Sequence, residues 1–292
     1  MPKLSARRWK PSGLKKAAAW RTGHEATWSV IVCSIDAGKF AQISQCYERL
    51  LAERRFEIIA IHDAKSLSEG YNRGIAAAQG DIVVFSHDDI LILDTEFAAK
   101  VERRLDGDFD LLGFAGGTQL EDGYWWAAGP EYMRGAVAHA VAKDRHLSLH
   151  VYGATGANVE PVVMLDGLCL IANRKTVETV AFDAETFDGF HHYDVDFSWS
   201  AHCRGLRLGA MTDVPVIHMS GGIFGSDWKH YRARFWDKYA DILPSPRPSP
   251  MPEPRATEAR TAMFESPYSL LQAWRPEYLR RATIAMLRLR HE

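Results

Sequence analysis

The feature that most constrains this chain is an alternation. Short runs rich in Val, Ile and Leu at residues 28–33, 56–61, 82–85 and 110–115 are separated by segments of helical periodicity at 41–54, 68–79 and 94–105. Short β-branched apolar runs bounded by polar residues read as buried strands. In the first intervening segment Ile43, Tyr47, Leu50 and Leu51 fall on one side of a helix. Strand and helix in turn predict an α/β fold with a doubly wound sheet. Helices on both faces of such a sheet explain runs that are apolar throughout.

The third run ends abruptly in His87, Asp88 and Asp89. Strand ends of an open α/β sheet are where ligands bind. Adjacent carboxylates repel unless a cation or polar partners compensate, and their hard oxygens suit Mg²⁺ or Mn²⁺ bridged to substrate phosphates. A solvated turn is the other reading. Asp63 follows the second run, where it can bind a ribose or base, or simply cap a turn. Asp194 and Asp196 open a helical segment at 194–203. The helix dipole stabilises negative charge there, and one of the two can instead serve as a general base. His218 ends a run at 208–218. Trp125 and Trp126 lie in an irregular stretch at 116–160, as a stacking surface for a sugar or as packing.

The formal net charge of −2 over 292 residues gives no sign of a nucleic-acid partner. Seven Lys and Arg residues precede the first acid, Glu25, forming a basic arm without the apolar core of a secretory signal. The four cysteines form no CxxC pair, which suits reduced thiols in the cytoplasm. A Pro-rich stretch follows residue 243, and residues 266–290 carry a stripe of Leu271, Trp274, Tyr278, Ala282, Ala285 and Leu289 opposite several arginines. That tail can dock on the domain, pair with a second copy, or lie at the inner face of a membrane. No Walker A pattern, GxGxxG after a strand, GxSxG elbow or zinc spacing competes.

Taken in order, Ser29-Val-Ile-Val-Cys-Ser34, Glu69-Gly-Tyr-Asn-Arg-Gly74, Gly80-Asp-Ile-Val-Val-Phe-Ser-His-Asp-Asp89, Leu165-Asp-Gly-Leu168, Tyr193-Asp-Val-Asp-Phe197 and Val216-Ile-His-Met-Ser-Gly-Gly222 resemble family 2 glycosyltransferases of the GT-A fold. The narrower resemblance is to the glycosyltransferase-like domain named for a streptomycin-biosynthesis protein. It implies a GT-A domain with a mixed, Rossmann-type sheet, bounded at 28–243; outside the resemblance, composition and periodicity give a basic arm at 1–27, a linker at 244–262 and an amphipathic C-terminal helix at 263–292. It implies inverting sugar transfer from a UDP-, GDP- or dTDP-linked donor to a hydroxyl of a saccharide, lipid-linked or small-molecule acceptor, with Mn²⁺ or Mg²⁺. Ser34, Asp63, Asn72, His87, Asp88, Asp166 and Gly167 match donor-binding positions, and Asp89 and His218 match metal positions. Asp194 matches the general base, with Asp196 not separated from it. Two residues depart from the family pattern: His87 replaces the first Asp of the DxD motif, and Tyr193 replaces the Glu that commonly precedes the base. The first departure keeps open a nucleotide-sugar-binding module without catalysis. A nucleotidyltransferase would need a Gly-rich loop with a Lys after the first strand, which is absent.

Overall fold

The structure is a computed structural model that describes residues 26–140, 146–153, 158–221, 224–243, 260–265 and 270–291. The basic arm and most of the Pro-rich stretch therefore lie outside the described residues. The chain opens with β1 (Thr27–Cys33), α1 (Ala37–Leu50), β2 (Arg55–Ile61), α2 (Leu67–Ala77) and β3 (Ile82–Ser86), the alternation expected. Helix α1 begins ahead of expected residue 41 because Asp36 caps it, its Oδ1 accepting from the Gly38 and Lys39 amides at 2.8 and 3.0 Å. Next come β4 (Ile90–Ile92), α3 (Phe97–Leu105), β5 (Leu111–Gly113), β6 (Ala115–Gly117), β7 (Met133–Ala140), β8 (His146–Tyr152), β9 (Val159–Val162), β10 (Met164–Leu165) and β11 (Cys169–Asn173). Then follow α4 (Arg174–Thr179), α5 (Tyr193–Cys203), β12 (Leu208–Met211), β13 (Val216–His218), α6 (Ser226–Tyr239), β14 (Arg260–Glu265), α7 (Leu270–Ala273) and α8 (Pro276–His291).

Two sheets form where the sequence suggested one. The first runs β2-β1-β3-β11-β5-β12-β9, with β2, β1 and β3 parallel and β11 antiparallel to β3. It is the mixed, doubly wound sheet. Val30, Val32 and Val84 face Ile43 and Tyr47 of α1 and Val101 of α3. Ile31, Val83 and Phe85, on the opposite face, pack with Tyr71 of α2, Val177 of α4 and Phe197 of α5. Helices on both faces account for the unbroken apolar runs. The second sheet runs β10-β6-β7-β13-β4, with β8 branching off as a further antiparallel partner of β7 and β14 paired to β8.

Several runs that read as single strands switch sheets partway. The run at 82–85 gives β3 to the first sheet, and the chain continues as β4 in the second, with His87, Asp88 and Asp89 at the crossing. The apolar residues 162–171 divide into β10 and β11, with Asp166 and Gly167 at the crossing. The run at 208–218 divides into β12 and β13. These crossings therefore bring His87, Asp88, Asp89, Asp166, Gly167 and His218 to the crease between the sheets.

The C-terminal segment is integrated rather than appended. Residues 260–265, expected to close the linker and begin a helix, instead add strand β14 to β8. Tyr278, Ala282, Met286 and Leu289 of α8 bury against Ala136, Ala138, Leu147, Leu149, Val151 and Ile217 on the back of the second sheet. The Arg49 guanidinium lies 4.7 Å over the buried Trp274 ring. The stripe from Trp274 to Leu289 is thus satisfied within the chain. Arg280, Arg281 and Arg288 face outward. Among the described residues no helix is long and apolar enough to cross a membrane.

Candidate active site

Each site residue reaches the crease for a local reason. His218 ends β13, which pairs antiparallel with β4, so His218 sits opposite Ile90 and the Met219 amide donates to the Asp89 carbonyl at 2.9 Å. His87 continues β3, and its amide donates to the Leu168 carbonyl at 3.0 Å. One ligand atom each from His87, Asp89 and His218 lies within 4.8 Å of the others. His218 Nε2 is 3.3 Å from Asp89 Oδ1 and 3.5 Å from His87 Nδ1, with Ser220 Oγ at 3.1 Å. Burial opposes ionisation of Asp89. The hydrogen bond and charge of His218, with His87 and Ser220, outweigh it and hold the carboxyl well below its ordinary range.

The two departures from the family pattern touch each other. Tyr193 Oη lies 2.7 Å from His87 Nε2 and 3.1 Å from the Gly167 carbonyl oxygen. A carbonyl only accepts, so the single phenolic hydrogen goes to Gly167. The phenolic oxygen then accepts from Nε2–H, which leaves His87 Nδ1 unprotonated and turned toward His218. Metal-bound histidines are commonly fixed in this way, by a hydrogen bond at the other ring nitrogen. Two imidazole nitrogens and a carboxylate suit a divalent transition ion, with positions left for other ligands. The residues present fit the metal the resemblance implies.

Asp194 opens α5 and accepts from the Gly167 amide at 2.8 Å. Gly167 has no room for a side chain, because a Cβ would overlap the Tyr193 hydroxyl and Asp194 Cβ. Burial, then the charge of Asp166, pushes the Asp194 carboxyl up to about 7. Asp166 is itself held at both oxygens, by the Leu168 amide at 3.0 Å and by Trp125 Nε1–H at 2.9 Å. Asp196 turns the other way. It is buried at 1% exposure and takes Lys238 Nζ at 2.6 Å and the Tyr239 hydroxyl at 2.7 Å, pinning α5 to α6. Both carboxylates were possible bases from sequence; only Asp194 faces the crease with Asp166.

On the other flank, Ser34 donates to Asp88 Oδ2 at 2.6 Å, and His62 Nδ1 lies 2.7 Å from the Ser34 carbonyl. Asp63 is largely exposed and bonded to Arg73 at 2.7 Å. Asn72, expected at the donor, spends its amide on the backbone of Phe182, donating at 2.8 Å and accepting at 3.1 Å. Trp126 packs among Tyr124, Phe224 and Trp228, with centroids 4.2, 5.7 and 6.4 Å away. Sequence reasoning missed Tyr193 as an anchor, and His62 and Ser220 altogether. The Tyr–His pair is invisible in the sequence because the two residues lie far apart along it.

Residues 29–239 match the glycosyltransferase-like family. The chain belongs to that family. A relative, the streptomycin biosynthesis protein StrF of Streptomyces griseus, is 27% identical over 197 residues, covering 65% of this chain and 66% of StrF. The match thus spans just under two thirds of that relative's length. Among solved structures, GalNAc-T7, crystallised with UDP, GalNAc and Mn²⁺, matches with a TM-score of 0.52 at 10% identity, over 75% of this chain and 49% of its own. That likeness establishes a GT-A type of fold for this family member. The mannosyltransferase PcManGT of Pyrobaculum calidifontis, solved with GDP-Man and Mn²⁺, aligns over 95% of this chain and 76% of its own at 12% identity, with a TM-score of 0.47.

Proposed function

We propose that the protein is an inverting, metal-assisted glycosyltransferase that moves a sugar from a nucleoside diphosphate donor to an acceptor hydroxyl. The observation that carries this reading is the placement of a cation-ready cluster and a carboxyl of raised pKa on either side of one crease. A divalent cation bound there, held by His87, Asp89 and His218, would offset the charge that gathers on the leaving diphosphate. The nitrogen-rich donor set favours Mn²⁺ over Mg²⁺.

The chain's own residues do the rest. Ser34 fixes Asp88 beside the first strand, on the side where a nucleoside would lie. Tyr193 holds the His87 tautomer, and Gly167 with Trp125 holds Asp194 and Asp166. Asp194 takes the proton of the acceptor hydroxyl as its oxygen bonds to the anomeric carbon. The bond from that carbon to the diphosphate breaks, and its electron pair leaves with the nucleoside diphosphate. Attack from the face opposite the leaving group inverts the centre. The four free thiols accord with the cytoplasmic location we assign. The outward arginines of α8 are the surface we assign to any contact with a membrane or a second copy.

The test is release of nucleoside diphosphate from UDP-, GDP- and dTDP-sugars with Mn²⁺, with NMR of the product's anomeric configuration. Release from one donor, inverted product, and loss of both in Asp194→Asn support the reading. Tight donor binding without release would indicate a non-catalytic binding module instead.

A further inference from the structure

Between His218 and Trp125, the second sheet carries three rings that take no part in the steps above. Strand β8 reads His146-Leu-Ser-Leu-His-Val-Tyr152, a strict alternation. Leu147, Leu149 and Val151 are buried toward α8, while Ser148, His150 and Tyr152 are half-buried on the opposite face. Strand pairing sets His218 opposite His139, Val137 opposite His150 and Gly135 opposite Tyr152. The rings follow one another across that face. His218 and His139 have centroids 5.6 Å apart, and His139 and His150 are 5.7 Å apart. His150 and Tyr152 stand nearly parallel, at 10° and 6.2 Å. Tyr152 meets Trp125 edge-on at 5.8 Å, and Trp125 Nε1–H ends the row on Asp166. The row therefore runs from the cation cluster to the carboxylate beside Asp194, along the floor of the crease.

Its chemistry is that of a platform. Gly135 has no side chain to cover Tyr152 from the paired position. Among the described residues, neither the His150 ring nor the Tyr152 hydroxyl has a hydrogen-bond partner. Burial lowers the pKa of His150, so its ring is neutral and offers one donor and one acceptor. Flat faces with unpaired polar edges match a pyranose, whose C–H face packs on a ring and whose hydroxyls meet the edges. They match a phosphate poorly, since no guanidinium or ammonium lies in the row.

We propose that His139, His150 and Tyr152 form the acceptor subsite, and that the acceptor presents a neutral pyranoside ring to it. This deepens the glycosyl-transfer reading and rests on it. The pyranoside lies on His150 and Tyr152 with its attacking hydroxyl toward Asp194. Transfer then joins that oxygen to the donor's anomeric carbon, as balanced above.

The experiment uses the full chain with Mn²⁺ and a panel of methyl α- and β-pyranosides, read by saturation-transfer NMR and tryptophan fluorescence. UDP, GDP and dTDP binding are measured on the same samples. At least one methyl pyranoside binds the wild type. Tyr152→Ala and His150→Ala each weaken it by about tenfold, the loss of one stacking contact, while nucleotide affinity and Tm hold. Tyr152→Phe, which keeps the ring, retains most of the affinity and guards against misfolding as the cause. Binding of nucleotide with no pyranoside bound, or pyranoside binding untouched in Tyr152→Ala, overturns the acceptor subsite and leaves the donor reading standing. Absence of nucleotide binding strikes the donor reading itself.

Discussion

Replacing Tyr193 with Phe removes one oxygen and leaves the ring in its packing. That oxygen is buried and serves two partners, the Gly167 carbonyl at 3.1 Å and His87 Nε2 at 2.7 Å. Both would lose their partner in the variant. A buried polar group left unsatisfied costs about 1–3 kcal/mol, so the variant unfolds at a lower temperature. The larger consequence is chemical. Without the phenolic acceptor, nothing selects the Nε2–H tautomer of His87, and the proton can move to Nδ1, where it faces the cation cluster. Loss of an orienting partner of this kind lowers metal affinity about 10- to 100-fold, or about 1.4–2.8 kcal/mol. Mn²⁺ titration of the folded variant, counting free ion by electron paramagnetic resonance, measures this without any substrate. His87→Asp in the Tyr193→Phe background should recover part of the affinity, since a carboxylate has no tautomer to fix. A variant with lowered Tm but wild-type Mn²⁺ affinity would refute the tautomer argument and leave Tyr193 a packing residue.

Three other outcomes follow from the geometry. Asp194→Asn should slow transfer by about a hundredfold to ten-thousandfold, and wild-type turnover should rise with pH as the carboxyl ionises near about 7. Because folding raises this carboxyl from its ordinary 3.8, its contribution favours the folded state at low pH and is lost as pH climbs through about 7. Denaturant melts should therefore show Asp194→Asn gaining stability over wild type at neutral pH and above, and no gain in acid. Asp196→Ala leaves Lys238 paired with Asp183 at 2.8 Å but takes one partner from the buried Tyr239 hydroxyl, and should cost about 1–3 kcal/mol by urea melt, while donor affinity of the folded fraction stays the same. Truncation after residue 243 removes β14 and α8; each large side chain stripped from the back of the second sheet gives up about 1.5–3 kcal/mol, and calorimetry should show Tm falling by about 10 °C or more.

Much of the first sheet was legible because its strands obey a local rule. β1 and β3 are buried on both faces and β2 is half-buried at the sheet edge, so the pattern is a simple apolar run, and the polar residues that end them mark the binding edge. The second sheet was not legible, and the reason is specific. β4, β6, β10 and β13 are two or three residues long and continue, or nearly continue, runs begun in the first sheet. Apolarity does not change where a chain passes from one sheet to another, so the crossings at Asp89 and Asp166 leave no trace in hydropathy. β8 did carry a signal, the alternation His-Leu-Ser-Leu-His-Val-Tyr, concealed within a Gly- and aromatic-rich stretch. The tail's stripe was visible, but its target was not, since that target is the back of a sheet the sequence does not announce. In the site, residue types were readable and pairings were not. Asp194 and Asp196 are equivalent in sequence and are separated by what lies opposite: Gly167 and Asp166 for one, Lys238 and Tyr239 for the other. His87 and Tyr193 looked like two separate defects in a family pattern and are one hydrogen-bonded pair.

The central claim is that the crease between the sheets binds a nucleoside diphosphate sugar through a cation held at Asp89. Thermal denaturation of wild type and Asp89→Ala against UDP-, GDP- and dTDP-sugars, with and without Mn²⁺, tests it most directly, because a ligand of the folded state raises Tm by mass action. The account predicts that one donor class raises the wild-type Tm in the presence of Mn²⁺, that the rise is much smaller without the ion, and that Asp89→Ala abolishes the Mn²⁺-dependent part. A wild type indifferent to every donor, or a rise that survives unchanged in Asp89→Ala, would contradict it.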